Sequence, residues 1–221
     1  MRTQFTRELN ALTDDLTLMC RHVHDATARL TDALVDADLT ATYEVFALDE
    51  QLQKMYGACE ARTVLLLALQ APVARDLRHV VTAIQIATEL SDIGTLTNRV
   101  ANHVYRAHPG HIAPEPILNI LAELGALAVA RAADVGDAVA TGHLPPVTEL
   151  DTGAQEIAAL RLRLRAALTD PAATQPTESA IDVVLVGDHL ERCVQHTARI
   201  DRLIRFLDTG VPPTAQPADS E

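Results

Sequence analysis

The fold is decided by the stretch LQAPVARDLRHVVTAIQIATELSDIGTLTNRVANHVYRA, residues 69–107. Its apolar residues recur at alternating steps of four and three, which is the spacing of one face of an α-helix. Pro72 falls where the first turn of a helix tolerates a missing N–H, and Pro109 with Gly110 is expected to end the helix. Two stripes run along it one residue out of phase, which predicts an apolar face wide enough to contact two neighbours. The first stripe is Val73, Leu77, Val80, Ile84 and Ala87, and the second is Ile86, Leu90, Ile93, Thr97, Val100 and Val104.

The second stripe returns 100 residues later in the chain. Thr97 is matched by Thr197 and Arg99 by Arg199, at a fixed phase relative to the apolar positions. A spacing of four and three is common to many helices, so it is this coincidence of residue types that indicates an internal duplication. The repeated stripe consists of Val186, Leu190, Cys193, Thr197, Ile200 and Ile204.

Five further helices complete the chain and give a period of three helices. A linker at 108–116, with three prolines and a glycine, separates a first repeat at 1–107 from a second at 117–209. We therefore predict an all-α fold of two three-helix bundles, placed end to end and related by an internal pseudo-twofold. The tail 210–221 has the composition of a disordered segment. The five helices are expected at about 3–36, 39–69, 115–141, 147–168 and 177–208, with Asp38 and Thr177 as N-caps of the second and sixth.

Composition excludes several classes of function. The net charge is −12 over 221 residues, which argues against nucleic acid or an anionic membrane as the main partner. The longest apolar run, Val64 to Leu69, is too short to span a bilayer, and no leader opens the chain. The three cysteines are far apart and inside predicted helices, which favours a reducing cytoplasm. The motifs of a phosphate-binding loop, a nucleophile elbow and HExxH do not occur, so we predict that the protein is not an enzyme.

Several short segments together resemble the PhoU family of phosphate-signalling proteins. They are QAPVARDLR at 70–78, Ile84-Gln85-Ile86-Ala87, Ile93-Gly94 and Glu191-Arg192, on the two-times-three-helix layout. The resemblance implies a cytoplasmic regulator of phosphate homeostasis, usually a homodimer, that represses the phosphate-starvation response. Its implied partners are the ATPase subunit of a phosphate ABC transporter and the sensor histidine kinase of a two-component system.

The sequence departs from this family where metal is concerned. Many members carry two acids four residues apart on each third helix, and these pairs can hold iron or zinc clusters. The equivalent positions here are Ser91 and Thr95 in the first repeat and Glu191 and Gln195 in the second. We therefore expect no metal and no other cofactor, with a multinuclear iron or zinc site on helices three and six as the alternative. Acidic pairs three residues apart supply the weak candidates for that alternative, which are Glu89, Asp92, Asp188 and Glu191.

Three charged residues crowd the start of the third helix and are the candidate partner-binding site: Arg75, Asp76 and Arg78. The helix dipole favours Asp76 there, and the two arginines could simply pair with acids of helix two. Alternatively they form a partner-docking corner, or one that senses an anion such as phosphate, because guanidinium groups beside free N–H donors suit it.

Two sequence pairs, one with a carboxylate and one with a thiol three residues before a histidine, are candidate metal half-sites. Asp76-x-x-His79 lacks the second pair that a di-iron bundle needs. Cys193-x-x-His196 resembles half a zinc site, but Cys193 replaces an apolar residue of the stripe and is interpreted as a core cysteine.

Three histidines cluster near the junction of the two repeats: His103, His108 and His111. We interpret them as plain surface histidines, with a metal-binding or pH-sensing role as the alternative.

Overall fold

The computed structural model describes residues 2–70, 72–142, 147–170 and 176–213. These residues form six helices and contain no strand, which confirms the all-α prediction. The helix ends agree with the sequence-based bounds to within two residues, except at the start of the third helix. In chain order the helices are α1 Arg2–Asp36, α2 Leu39–Gln70, α3 Ala74–Ala107, α4 Glu115–Thr141, α5 Val147–Thr169 and α6 Thr177–Thr209.

The start of α3 differs from the prediction. Pro72 lies before the helix, Val73 is its N-cap, and Ala74 adopts a φ of 47°. The first stripe was predicted to be buried throughout, but Val73 is 74% exposed and Leu77 is 40% exposed. Within the described residues the first turn of α3 is exposed, so burial of this stripe begins at Val80. Ala87 is also buried, and Ile84 is half-buried.

The second stripe is buried in both repeats, as predicted. Every member on α3 and every member on α6 is at most 5% exposed. Its two threonines satisfy their hydroxyls locally, because Thr97 donates to the Gly94 carbonyl and Thr197 donates to the Val194 carbonyl, each at 2.7 Å. This shared solution supports the interpretation of the chain as a duplication.

The two repeats lie side by side, so the prediction of an end-to-end arrangement is wrong. α1 packs against α4, and α3 packs against α6, as closely as helices pack within the first repeat. The buried residues of all six helices form one continuous hydrophobic core. The reason is the width of the apolar faces: α1 and α3 each have more apolar surface than one three-helix unit covers, and the second repeat buries the remainder.

The start of α2 and the ends of α4 and α6 follow known capping rules, whereas α3, α4 and α6 begin without a side-chain cap. The Thr40 N–H donates to the Asp38 carboxylate at 2.7 Å, so the predicted cap of α2 is confirmed. Gly142 and Gly210 adopt left-handed conformations and end α4 and α6. The predicted cap at Thr177 is wrong, because α6 already begins there and Pro176, which has no side-chain donor or acceptor, is the N-cap.

One helix of the described chain, α4, is long and apolar enough to cross a membrane by length and composition. Its most apolar window of 18 residues has a mean hydropathy of 1.4. The apolar run Val64 to Leu69, which lies on α2, did not indicate this helix. Half of that window is buried inside the bundle, where α4 packs against α1, α5 and α6. Leu121 and Leu124 are fully buried on this helix, so its apolar character is that of a core helix.

Candidate functional site

The family's first metal position is occupied by a hydrogen-bond network between α2 and α3. The Ser91 hydroxyl donates to Gln53 Oε1 at 2.9 Å, and Gln53 Nε2 lies 3.2 Å from both the Ser91 carbonyl and Thr95 Oγ1. Gln53 Nε2 also lies 3.1 Å from Asp49 Oδ1, and Asn98 Nδ2 donates to Asp49 Oδ2 at 2.6 Å. One carboxylate among four neutral groups does not fit a multinuclear iron or zinc cluster.

The equivalent position on α6 keeps one acid, Glu191, but an arginine neutralises it. Glu191 forms an ion pair with Arg161 of α5, and Gln195 Nε2 donates to the other Glu191 oxygen at 3.0 Å. Asp188 faces Arg192 at 4.0 Å. Only one of the two family positions on α6 is an acid, because the other is Gln195, so this end of the bundle does not fit a family-type cluster either.

A different acidic pair, Glu89 and Asp92 on α3, meets a histidine of α6. Glu89 Oε2 lies 2.6 Å from His196 Nδ1, and Arg199 Nη1 lies 3.6 Å from the same oxygen. One donor atom from each of Glu89, Asp92 and His196 lies within 4.8 Å of the others. His196 is 7% exposed, so a buried imidazole closes the inner side of this group.

Sequence reasoning proposed Glu89 and Asp92 as metal candidates but missed His196. It compared His196 only with Cys193, three residues away on the same helix. The side chain that His196 contacts is 107 positions away, and no local spacing reports such a pair. The repeated stripe could have indicated this contact. It marks α3 and α6 as equivalent helices, and equivalent helices related by a pseudo-twofold are candidates to pack on each other.

Cys193 is a buried core cysteine, as predicted. It is 1% exposed, and burial raises the pKa of its thiol to about 12. Cys20 and Cys59 are likewise free and buried, and burial raises the pKa of Cys20 to about 12 and that of Cys59 to about 11. Thiols held in the protonated form are poor nucleophiles and poor metal ligands.

The prediction that His103 is a plain surface histidine is wrong. It is 8% exposed, and its Nδ1 lies 3.0 Å from Asp182 Oδ1 of α6. Burial lowers the pKa of His103, and it also lowers the pKa of His189, whose ring centroid lies 6.4 Å away. His108 and His111 are exposed, as predicted. The wide face of α3 that packs on α6 covers His103 and leaves the two linker histidines in solvent.

The three predicted partner-binding residues have different surroundings. Arg75 and Asp76 are exposed on the first turn of α3. Arg78 is half-buried, and its guanidinium lies over the ring of Phe206, 5.6 Å from the centroid. Within the described ranges the acids of α2 that form ion pairs do so with Arg29 and Lys54, so the expected pairing of the two arginines with acids of helix two is wrong. Arg78 instead packs against the end of α6, close to Gly210.

Large apolar side chains are exposed on both sides of the connection between α2 and α3. Val64 is 59% exposed, Leu65 is 57% exposed and Leu69 is 72% exposed at the end of α2. On the other side of the connection, Val73 and Leu77 are exposed as well, so the bundle leaves large apolar side chains of both helices in solvent. We call Leu69, Val73, Arg75, Asp76 and Leu77 the α2–α3 corner.

These features define a class of two-repeat, six-helix bundles with an acidic composition and an uncovered apolar corner. Residues 16–104 match the PhoU domain. The chain is 32% identical over 213 residues to the phosphate-specific transport system accessory protein PhoU homolog 1 of Mycobacterium leprae, covering 96% of both chains. It is equally similar to PhoU homolog 2 of Mycobacterium tuberculosis, covering 96% of this chain and 100% of that protein. The chain belongs to the PhoU family.

Solved structures agree with this assignment at the level of fold. The crystal structure of PhoU from Pseudomonas aeruginosa superposes with a TM-score of 0.84 at 22% identity, over 93% of this chain and 99% of that one. The phosphate transport system regulatory protein PhoU from Streptococcus pneumoniae gives a TM-score of 0.78 at 21% identity, over 93% and 97% of the two chains.

Proposed function

We propose that this protein is a cytoplasmic regulator of phosphate homeostasis that acts by docking on other proteins and has no enzymatic activity. The names of its relatives support this proposal, because they are accessory proteins of a phosphate-specific transport system. The uncovered α2–α3 corner is the single observation that supports docking most directly. Exposed apolar residues rimmed by charge are typical of protein interaction surfaces.

The proposed partners are the ATPase subunit of a phosphate ABC transporter and a sensor histidine kinase. The protein would repress the starvation response and limit uptake when phosphate is plentiful. It would do so by binding one conformation of each partner more tightly than the other, because only a difference in affinity shifts such an equilibrium. The net charge of −12 suits basic or neutral docking surfaces on these partners.

The α2–α3 corner offers both anchoring and orientation for such a contact. Val73 and Leu69 are among the most exposed large apolar residues in the described chain, at 74% and 72%. Burying them on a partner would contribute roughly 1.5–3 kcal/mol each. Arg75 and Asp76 beside them supply opposite charges that would fix the orientation of the partner. Arg78 is expected to act indirectly, by holding the first turn of α3 against α6.

Affinity capture tests this proposal. The full chain should recover a histidine kinase or an ABC ATPase from cells grown in high phosphate, and less of either from starved cells. Combining Val73→Asp with Arg75→Glu is expected to reduce recovery at least tenfold without changing the helical circular dichroism signal. Arg21→Glu, an exposed charge reversal on α1, is the matched control and should bind like wild type. Recovery of neither partner from high-phosphate cells would refute the proposed function.

We further propose that the protein is a homodimer and works without a multinuclear metal cluster. The network around Gln53 and the Arg161–Glu191 pair support the second point, since they engage the positions where family members carry acids. Light scattering at micromolar concentration should give twice the chain mass of 23.8 kDa.

Direct sensing of phosphate at the α2–α3 corner stays a hypothesis. If calorimetry detected no heat of binding in millimolar phosphate, this hypothesis would be refuted.

A further inference from the structure

We propose that Glu89, Asp92 and His196 bind a single divalent transition-metal ion across the contact between α3 and α6. This site differs from the positions of the family's acid pairs, which are Ser91 and Thr95 on α3 and Glu191 and Gln195 on α6. It is independent of the proposed docking function, because none of its three residues belongs to the α2–α3 corner. Its failure would therefore leave that function untouched.

The geometry suits one ion and three protein ligands. One donor atom from each side chain lies within 4.8 Å of the other two. Zinc bonds to nitrogen and oxygen are about 2.0–2.2 Å long, so ligand atoms around one ion lie roughly 3–4 Å apart. Side-chain rotation would have to bring the donor atoms, which are now at most 4.8 Å apart, to that spacing. Two carboxylates and one imidazole form a donor set that Zn²⁺, Fe²⁺ and Mn²⁺ accept, and water would complete the coordination.

The exposure of Asp92 and its lack of a protein partner within the described residues support a bound ion more strongly than the Glu89–His196 contact does. A histidine–glutamate pair at 2.6 Å is explained without metal, as an ordinary ion pair. Asp92, however, is exposed and forms no ion pair or hydrogen bond with any residue in the described part of the chain. It nevertheless holds its carboxylate within reach of the buried imidazole, which gives an ion both a path from solvent and a third ligand.

The local charge favours a cation despite one competing group. Arg199 Nη1 lies 3.6 Å from Glu89 Oε2 and offsets one of the two carboxylates. Arg199 is exposed, so it can turn into solvent when an ion takes its place. Removing its positive charge should therefore strengthen metal binding. A Glu89–His196 ion pair without a metal would not lead to this expectation, so the effect of removing the Arg199 charge separates the two interpretations.

Metal titration of the full chain tests the proposal. Protein freed of metal with a chelator would be titrated with Zn²⁺ by calorimetry and with Co²⁺ by visible absorption, which reports nitrogen and oxygen ligation. We expect about one equivalent per chain. Asp92→Asn and His196→Gln should each weaken binding at least tenfold, and Arg199→Gln should strengthen it several-fold. Asp188→Asn, which alters the acid beside Arg192, is the matched control and should leave affinity unchanged.

Asp92→Asn is the decisive variant, because its side chain is exposed and its loss should not disturb folding. Circular dichroism would confirm that the variant keeps its helices. Binding of less than about 0.1 equivalent of Zn²⁺ and Co²⁺ to the wild-type chain would overturn the proposal. An unchanged affinity in Asp92→Asn would also overturn it, since an ion would then be bound by other histidines of the chain.

Discussion

Leu190→Ala is expected to lower the free energy of unfolding of the whole chain by about 2–5 kcal/mol, the range for leucine truncation in a close-packed core. Leu190 is 1% exposed and belongs to the stripe of α6, the helix that packs on α3 of the other repeat. Because the two repeats share one core, the loss should destabilise the first repeat as much as the second. Independent bundles would behave differently, with only the second repeat affected.

The chain carries natural probes that separate these outcomes. It has no tryptophan, and its three tyrosines, Tyr43, Tyr56 and Tyr105, all lie on α2 and α3 of the first repeat. Tyrosine fluorescence therefore reports the first repeat, while far-ultraviolet circular dichroism reports all helices. In urea, both signals of Leu190→Ala should shift to the same lower midpoint in a single transition.

Leu162→Ala is the matched control on the second repeat. Leu162 is 69% exposed on α5, so its truncation should change the free energy of unfolding by no more than about 0.5 kcal/mol. If Leu190→Ala left the tyrosine transition in place while circular dichroism became biphasic, the repeats would be separate folding units. The shared core would then be refuted.

The positions of the helices and their buried faces could be predicted from the sequence because both are local properties. The period of the apolar stripe fixes which side of α3 faces inward, and its return on α6 indicates the duplication. The period of the apolar residues predicts how wide an apolar face is. It does not predict which other helix packs against that face. This is why the stripe was right from Val80 onward while the end-to-end arrangement was wrong.

The polar contacts between repeats were beyond local reasoning for the same reason. His103 meets Asp182, and His196 meets Glu89, in both cases across the α3–α6 contact. Neither pair shares a helix or a motif, so only the packing of the two repeats reveals them. The loss of the family's acid pair was visible in the sequence at Ser91, whereas its replacement by a network through Gln53 of another helix was not.

Asp201→Asn is expected to stabilise the protein at pH 7 by roughly 1–3 kcal/mol and to have little effect near pH 4. Asp201 lies on α6 and is 7% exposed. The pKa of its carboxyl is raised to about 6, mainly by burial. Asp134 acts in the same direction as burial, and Arg205, Arg131 and Arg202 act in the opposite direction. A pKa of about 6 against the ordinary 3.8 corresponds to about 3 kcal/mol when the group is ionised in the folded protein.

The sign of the effect follows from proton binding. Between about pH 4 and pH 6 the folded chain keeps the Asp201 proton and the unfolded chain releases it, so the free energy of unfolding falls as the pH rises. Above about pH 6 Asp201 is ionised in both states, and the free energy of unfolding stays lowered by the full amount. Asparagine has the same shape and no charge, so it removes this pH-dependent cost. The arginines that lose a partner reduce the gain, which sets the lower end of the range.

Urea unfolding of wild type and Asp201→Asn at pH 4.5 and pH 7.5 measures the difference. Burial lowers the pKa of His79, His103 and His189, so acid will destabilise both proteins through these histidines. That contribution cancels when the variant is compared with wild type at each pH. Asp137→Asn, an exposed aspartate of α4, should show no such pH dependence. If Asp201→Asn changed the free energy of unfolding equally at both pH values, the pKa of Asp201 would not be raised in the folded protein. If the variant were instead less stable than wild type at pH 7.5, Asp201 would be ionised and stabilising there, contrary to the burial that raises its pKa.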